Sequence, residues 1–278
     1  MKKILFMAVA AMVAACSSDS EQANLSDNSE PTEVTLTFSP YDVTPITRTA
    51  TSISGVVTHL DVWLQEGGNT TDVHQASTDD GFGTVNVTLD KTKTYTLYAV
   101  AHKCTSDATL ADGVISFPDD KVTHSLYYST TFSPATTTNL SCLMQRIVAQ
   151  FSFQTTDTKP ADVAKMRFTI GSVFDRWNVS TGATHGLDRV STFNSVSTNN
   201  DGTVTFNLYA IVTDAQTTHT VTVEAFTSGD VLKQTRTFTD VPLRNGYKTT
   251  YRGVYFTDTP VASAFTVEDW NSYDTVAF

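Results

Sequence analysis

The stretch Glu33-Val34-Thr35-Leu36-Thr37-Phe38-Ser39 sets the fold class. Val34, Leu36 and Phe38 alternate strictly with Thr and Ser, the period-two pattern of a strand with one face buried. The same pattern recurs downstream. Leu60, Val62 and Leu64 point one way, with Asp61 and Trp63 on the opposite face. Val85, Val87 and Leu89 follow the turn at Asp79 to Gly83, and Tyr95, Leu97, Ala99 and Ala101 follow the turn at Asp90 to Lys93. Val114 to Phe117 and Ser125 to Phe132 are shorter candidates. Strands at intervals near ten residues, punctuated by Gly, Asp and Asn, describe a β sandwich or barrel.

A second set begins with the long apolar run Leu140 to Phe153, which carries Arg146 inside it. Met166 to Ile170, Thr203 to Val212, Val221 to Phe226, Leu232 to Phe238 and Tyr247 to Phe256 continue it. Asn199-Asn200-Asp201-Gly202 and Arg244-Asn245-Gly246 read as hairpin turns. Phe265 to Trp270 and Ser272 to Phe278 close the chain. Ala161 to Lys165, after Pro160, is the one segment expected to be briefly helical. The fold class expected is therefore all-β, with one sandwich over residues 33–141 and a second over 142–278.

Composition agrees. The 278 residues include 49 Thr and 24 Ser, and only 17% are charged, below the roughly 25% of an ordinary soluble protein. Thr, Val, Tyr and Phe suit a pleated surface rather than a long helix. The net charge of −11 argues against a nucleic-acid partner, which needs a basic face.

The first residues are an address rather than part of the fold. Lys2 and Lys3 precede an apolar run from Ile4 to Ala15, too short to span a bilayer core of about 30 Å as a helix. It ends Val13-Ala14-Ala15-Cys16, which resembles a bacterial lipobox. The resemblance implies cleavage of residues 1–15 and acylation of Cys16, leaving a charge of −13 once Lys2 and Lys3 are gone. Residues 16–32 are rich in Ser, Asp, Glu and Asn and read as a flexible tether. Ser17 and Ser18 after the Cys point to the outer membrane.

Catalytic signatures are absent. The six His form no HxxxH pair, no two Cys are closely spaced, and there is no GxSxG, P-loop or GxGxxG. Asn199 to Gly202 lacks the spaced acidic ligands and closing Glu of a calcium loop. No cofactor or metal is expected. Cys104 and Cys142 are either a disulfide, in keeping with an exported chain, or two buried free thiols. Trp63, Trp177 and Trp270 are candidates for a glycan-stacking platform, set against the commoner role of such rings as core. Arg146, inside an apolar strand, is expected to pair with a carboxylate.

Four motifs resemble one family in order and spacing. Leu143-Met144-Gln145-Arg146-Ile147-Val148-Ala149-Gln150-Phe151 resembles the strand that opens the second domain of the Bacteroidetes-type fimbrillins. Tyr95-Thr96-Leu97-Tyr98-Ala99-Val100-Ala101-His102 resembles a strand of their FimB-like anchor branch. Val241 to Tyr247 with Gly253 to Phe256, and Val267-Glu268-Asp269-Trp270, resemble the late hairpin and C-terminal strand. The resemblance implies two transthyretin-like sandwiches and a structural, non-enzymatic role in a type V pilus assembled by strand donation. In the stalk subunits of that family a protease cuts after an Arg in the first domain; Arg48, in Thr47-Arg48-Thr49, matches that place. An anchor subunit keeps lipid and first strand. The implied partners are other fimbrial subunits, the outer membrane through the lipid, and a surface ligand of unknown kind. The implied donor or edge strand is Phe265 to Phe278, with Val267, Trp270, Tyr273, Val276 and Phe278 as apolar anchors. The rival class is a glycan-binding surface lipoprotein.

Overall fold

A computed structural model describes residues 30–41, 53–192, 198–212, 215–257 and 265–269. Cys16 and Arg48 lie outside them. The described residues form seventeen strands and no α-helix. In chain order the first nine are β1 (Pro31–Pro40), β2 (His59–Glu66), β3 (Asn69–Ala76), β4 (Thr84–Asp90), β5 (Tyr95–His102), β6 (Thr109–Ala111), β7 (Val114–Ser116), β8 (Leu126–Phe132) and β9 (Asn139–Arg146). The others are β10 (Ala149–Thr155), β11 (Lys165–Asn178), β12 (Gly182–Thr192), β13 (Thr205–Ala210), β14 (Thr217–Phe226), β15 (Leu232–Leu243), β16 (Tyr247–Gly253) and β17 (Phe265–Asp269). The all-β class read from the alternating pattern holds. The segment after Pro160 is not helical: it makes a single turn, Val163 N–H to Pro160 carbonyl, before β11 begins.

The N-terminal strands run in the order β3-β2-β5-β8-β9-β1-β4. β8 and β9 share only two residue pairs, Leu126 with Arg146 and Tyr127 with Gln145. The sheet folds over at that corner. β4-β1-β9 therefore faces β3-β2-β5-β8, and Val34, Leu36, Phe38, Cys142 and Met144 from one layer pack on Leu60, Val62, Leu64, Leu97 and Leu126 from the other. The C-terminal strands form a four-stranded sheet, β13-β10-β16-β17, over the sheet β15-β14-β11. Phe151, Phe153, Phe168, Phe238, Tyr251 and Tyr255 fill the space between them. Phe153 stacks on Tyr251 with ring centroids 5.2 Å apart and meets Phe168 edge-on at 5.4 Å, the arrangements aromatic quadrupoles favour.

The apolar run Leu140 to Phe153 is two strands, not one. β9 completes the first pair of layers, and β10 begins the second. The cut placed near residue 141 thus falls inside β9. At the crossing, Ile147 N–H bonds the Ser125 carbonyl and the Val148 carbonyl accepts from Gly246 N–H, so consecutive residues serve opposite units. A third apolar cluster surrounds the crossing: Trp63, Val100, Ile115, Phe117, Ile147, Val148 and Ile211 are all buried there. The β6–β7 hairpin reaches from the N-terminal half to pair with β11, with Trp177 opposite Ile115.

Arg146 is buried beside this cluster, and its Nε donates to Nε2 of His124 at 2.8 Å. A neutral imidazole can accept this bond because its ring offers a lone pair without a second charge. Burial, and then the adjacent Arg146 charge, hold His124 well below the ordinary histidine range. The folded state therefore keeps the ring neutral where the unfolded chain, with an ordinary value near 6.5, takes up a proton. This part of the stability is complete above about pH 6.5 and is lost as pH falls. Relative to a His124→Gln chain, whose amide can still accept from Arg146, the unmodified chain should lose stability between pH 7.5 and 5.5 in urea unfolding. An equal pH dependence in both chains would contradict the neutral His124.

Candidate functional site

Strand β1 has the most consequential position of any in the fold. Its alternating sequence puts Val34 and Leu36 wholly inside, with Phe38 nearly so, while Glu33 and Thr37 face out. On one side it pairs antiparallel with β4, Leu36 opposite Val85 and Val34 opposite Val87. On the other it pairs parallel with β9, Leu36 opposite Leu140 and Phe38 opposite Cys142. A strand near the N-terminus is thus an interior strand of a sheet that later strands complete around it.

The far end of this slot is closed by backbone and one aliphatic side chain. Phe38 N–H bonds the Gly83 carbonyl and Tyr41 N–H bonds the Met144 carbonyl, each at 2.8 Å. Ile53, in a single 3-10 turn (Ile53–Gly55), packs into the same core. Gly83 has φ of +91°, and a Cβ there would stand 2.5 Å from Ile53 Cγ2, so both conformation and space require glycine. Residues 42–52, which contain Arg48, connect Tyr41 to Ile53 and lie outside the described residues.

At the other end of the chain, β17 is the edge of its sheet, paired antiparallel with β16. Phe265 packs toward Phe238 and Tyr251, with centroids 6.2 and 6.1 Å away. Val267 is instead 37% exposed. Trp270, Tyr273, Val276 and Phe278, the other proposed anchors, fall outside the described residues.

Cys104 and Cys142 are both buried and free, in separate apolar clusters. Of the two readings the sequence allowed, the small-hydrophobe one describes them. Burial pushes the Cys142 thiol up to about 12, which leaves it unreactive. Trp63 is a correction: it is 4% exposed, because β2 is covered on both faces, and it cannot form a stacking platform. Trp177 packs against the same cluster, its ring 5.5 Å from Tyr127.

An open groove elsewhere gives chemistry little to work with. Gly171, Ser172, Thr218, His219, Thr220, Thr239 and Asp240 line a shallow polar cavity where β11 and β14 are both bulged. Among the described residues no Trp, Tyr or Phe borders it.

The fold is shared with solved β proteins of Bacteroides described as proposed adhesins and a proposed polysaccharide-binding protein. The chain belongs to a family of unknown function, DUF6562, whose profile matches residues 26–275. Three solved structures share the architecture. A proposed adhesin from Bacteroides ovatus superposes with a TM-score of 0.53 at 12% identity, covering 84% of this chain and 96% of its own. A proposed polysaccharide-binding protein (DUF1812) from Bacteroides thetaiotaomicron gives 0.53 at 11% identity, covering 86% and 96%. A proposed adhesin from Bacteroides thetaiotaomicron gives 0.52 at 10% identity, covering 88% and 98%. At these identities the likeness is one of fold. No curated protein matches the chain.

The slot makes a direct stability prediction. Leu36→Ala should cost about 2–5 kcal/mol, as for a fully buried leucine truncated in a packed core. Thr37→Ala, on the outward face, should change stability by less than about 0.5 kcal/mol. Urea unfolding of the two variants measures both; equal effects would mean that β1 is not held in the core.

Proposed function

We propose that this chain is a structural, non-enzymatic fimbrial subunit of the cell surface. It is lipid-anchored to the outer membrane at Cys16, and it fixes a pilus there by strand donation while keeping its own first strand. The observation that carries the reading is the burial of β1 between β4 and β9. A strand in that position can be replaced by an equivalent strand from another subunit, because the slot supplies both hydrogen-bonding edges and the pockets for alternate side chains. The lipobox, the Arg48 segment after β1 and the fold shared with proposed adhesins support the same assignment.

The anchor and stalk readings differ in one covalent fact. A cut after Arg48 would release lipid and β1 together and leave the slot open. An anchor keeps both. The intact mass of the mature surface protein should correspond to a chain beginning at acylated Cys16. A chain beginning at Thr49 would identify a stalk or tip subunit instead. A glycan-binding lipoprotein is the weaker reading, since Trp63 is inside the protein.

In the anchor, the offered strand is the C-terminal segment that continues from the edge strand β17, with Val267 on its exposed face. Past it, Trp270, Tyr273, Val276 and Phe278 supply further apolar side chains. Deleting Ser272 to Phe278 should release pili from the cell surface, counted as shed fimbriae in culture supernatant, while the lipoprotein stays membrane-bound. Unchanged attachment would remove the donor role from this segment.

A further inference from the structure

A polar cluster in the N-terminal unit plays no part in strand exchange, yet it has the order of a built site. Asp61, on β2, is completely buried. Its Oδ2 accepts from His102 Nε2 at 2.7 Å and from the backbone N–H of Ala108 at 3.0 Å. His102 is held in turn, because its Nδ1 accepts the N–H of Cys104 at 3.1 Å. That bond places the ring proton on Nε2, pointing at the carboxylate. The other carboxylate oxygen, Oδ1, meets Nδ1 of His74 on the neighbouring strand β3 at 2.6 Å. His74 Nε2 lies 3.2 Å from Asp72 Oδ2. Asp107, the residue before Ala108, brings an exposed carboxylate to the same place. One donor atom from each of Asp61, His74 and Asp107 lies within 4.8 Å of the others.

We propose that Asp61, His74 and Asp107 form a binding site for one divalent transition cation of the zinc type, with solvent in the fourth position. Ligands about 2.1 Å from a tetrahedral cation stand roughly 3.4 Å apart, so the Asp61–His74 pair, at 2.6 Å, opens by less than about an ångström, and a pair as wide as 4.8 Å closes by little more than one. Two of the three residues are free to make that movement: Asp107 is exposed, and the His74 side chain is 30% exposed. The buried member is the one already fixed.

The second layer of partners is in place before the ion arrives. Ligating histidines characteristically donate their other ring N–H to a carboxylate, and Asp72 occupies that position for His74. Ligating carboxylates are themselves hydrogen-bonded, and His102 with Ala108 hold the Asp61 oxygen that the ion would not use. Binding exchanges one bond for another. The Nδ1 proton of His74 leaves to solvent, the nitrogen lone pair and Asp61 Oδ1 turn to the cation, and the Asp61–His74 hydrogen bond is replaced by two metal–ligand bonds. One imidazole nitrogen and two carboxylates suit zinc; calcium prefers six to eight oxygens, which this cluster does not assemble. The ion would staple β2, edge strand β3 and the loop before β6 at one point.

Zinc chloride titrated into the full chain, with equilibrium dialysis for stoichiometry, tests the site. The expected result is one zinc per chain and a raised melting temperature. His74→Gln and Asp107→Asn should each weaken binding at least tenfold while leaving the unliganded circular dichroism spectrum unchanged, since both residues are at the surface. Cobalt(II) in place of zinc should give the intense visible absorption of a tetrahedral centre, and His74→Gln should abolish it. Absence of saturable zinc binding, or binding that either variant leaves undiminished, would overturn the proposal.

Discussion

The whole N-terminal unit depends on a strand that must be paired along both of its edges. β1 enters the protein first and lies in the interior of its sheet, between β4 on one side and β9 on the other. Each of its fully buried side chains contributes about 1.5–3 kcal/mol by leaving water. Each backbone group stranded in a dry slot would cost about 1–3 kcal/mol. An empty slot therefore exposes apolar pockets and two rows of unpaired amides and carbonyls at once. Occupied by β1, the slot satisfies both rows, antiparallel along β4 and parallel along β9.

The second constraint is the passage from one unit to the other. Leu143 to Phe151 is one continuous stretch of sequence, yet it serves two cores. Met144 and Arg146 face inward from β9 while Leu143 is 50% exposed. Phe151 and Phe153 do the same work from β10 in the second unit. Between them Ile147 and Val148 are wholly inside the third cluster, and Arg146 comes with a neutral imidazole to accept its Nε–H. The acceptor is held in place, the ring of His124 lying 6.2 Å from that of Tyr209 and stacked on it.

Alternation made the class of fold legible, because strands with one dry face declare themselves in Val34, Leu36 and Phe38 as they do in Val85 and Leu89. It failed where a strand departs from that condition. β3, with sequence Asn69 to Ala76, is a polar edge strand that shows little apolar signal. β2 has the opposite character: both faces are covered, so Asp61 and Trp63 look like an outward pair and are not. The break at Ile147 and Val148 is invisible to periodicity because Ile147, Val148 and Ala149 form one unbroken apolar run. The Asp61 cluster has no spacing motif at all. Its members come from two paired strands and a loop, and the register Asp61 opposite His74 is what brings them together.

The β6–β7 hairpin gives the molecule a mechanical property that neither half has alone. Its three residue pairs with β11 bridge the two halves, and the buried cluster around Trp63 and Val148 fills the angle beside them. Two beads joined only through Ile147 and Val148 would swivel like a hinge. With the hairpin clasped to β11, bending between the halves must break backbone hydrogen bonds and open a dry core together. A load applied to one sandwich is passed to the other as through a strut, and the chain resists flexing as a single stiff lever.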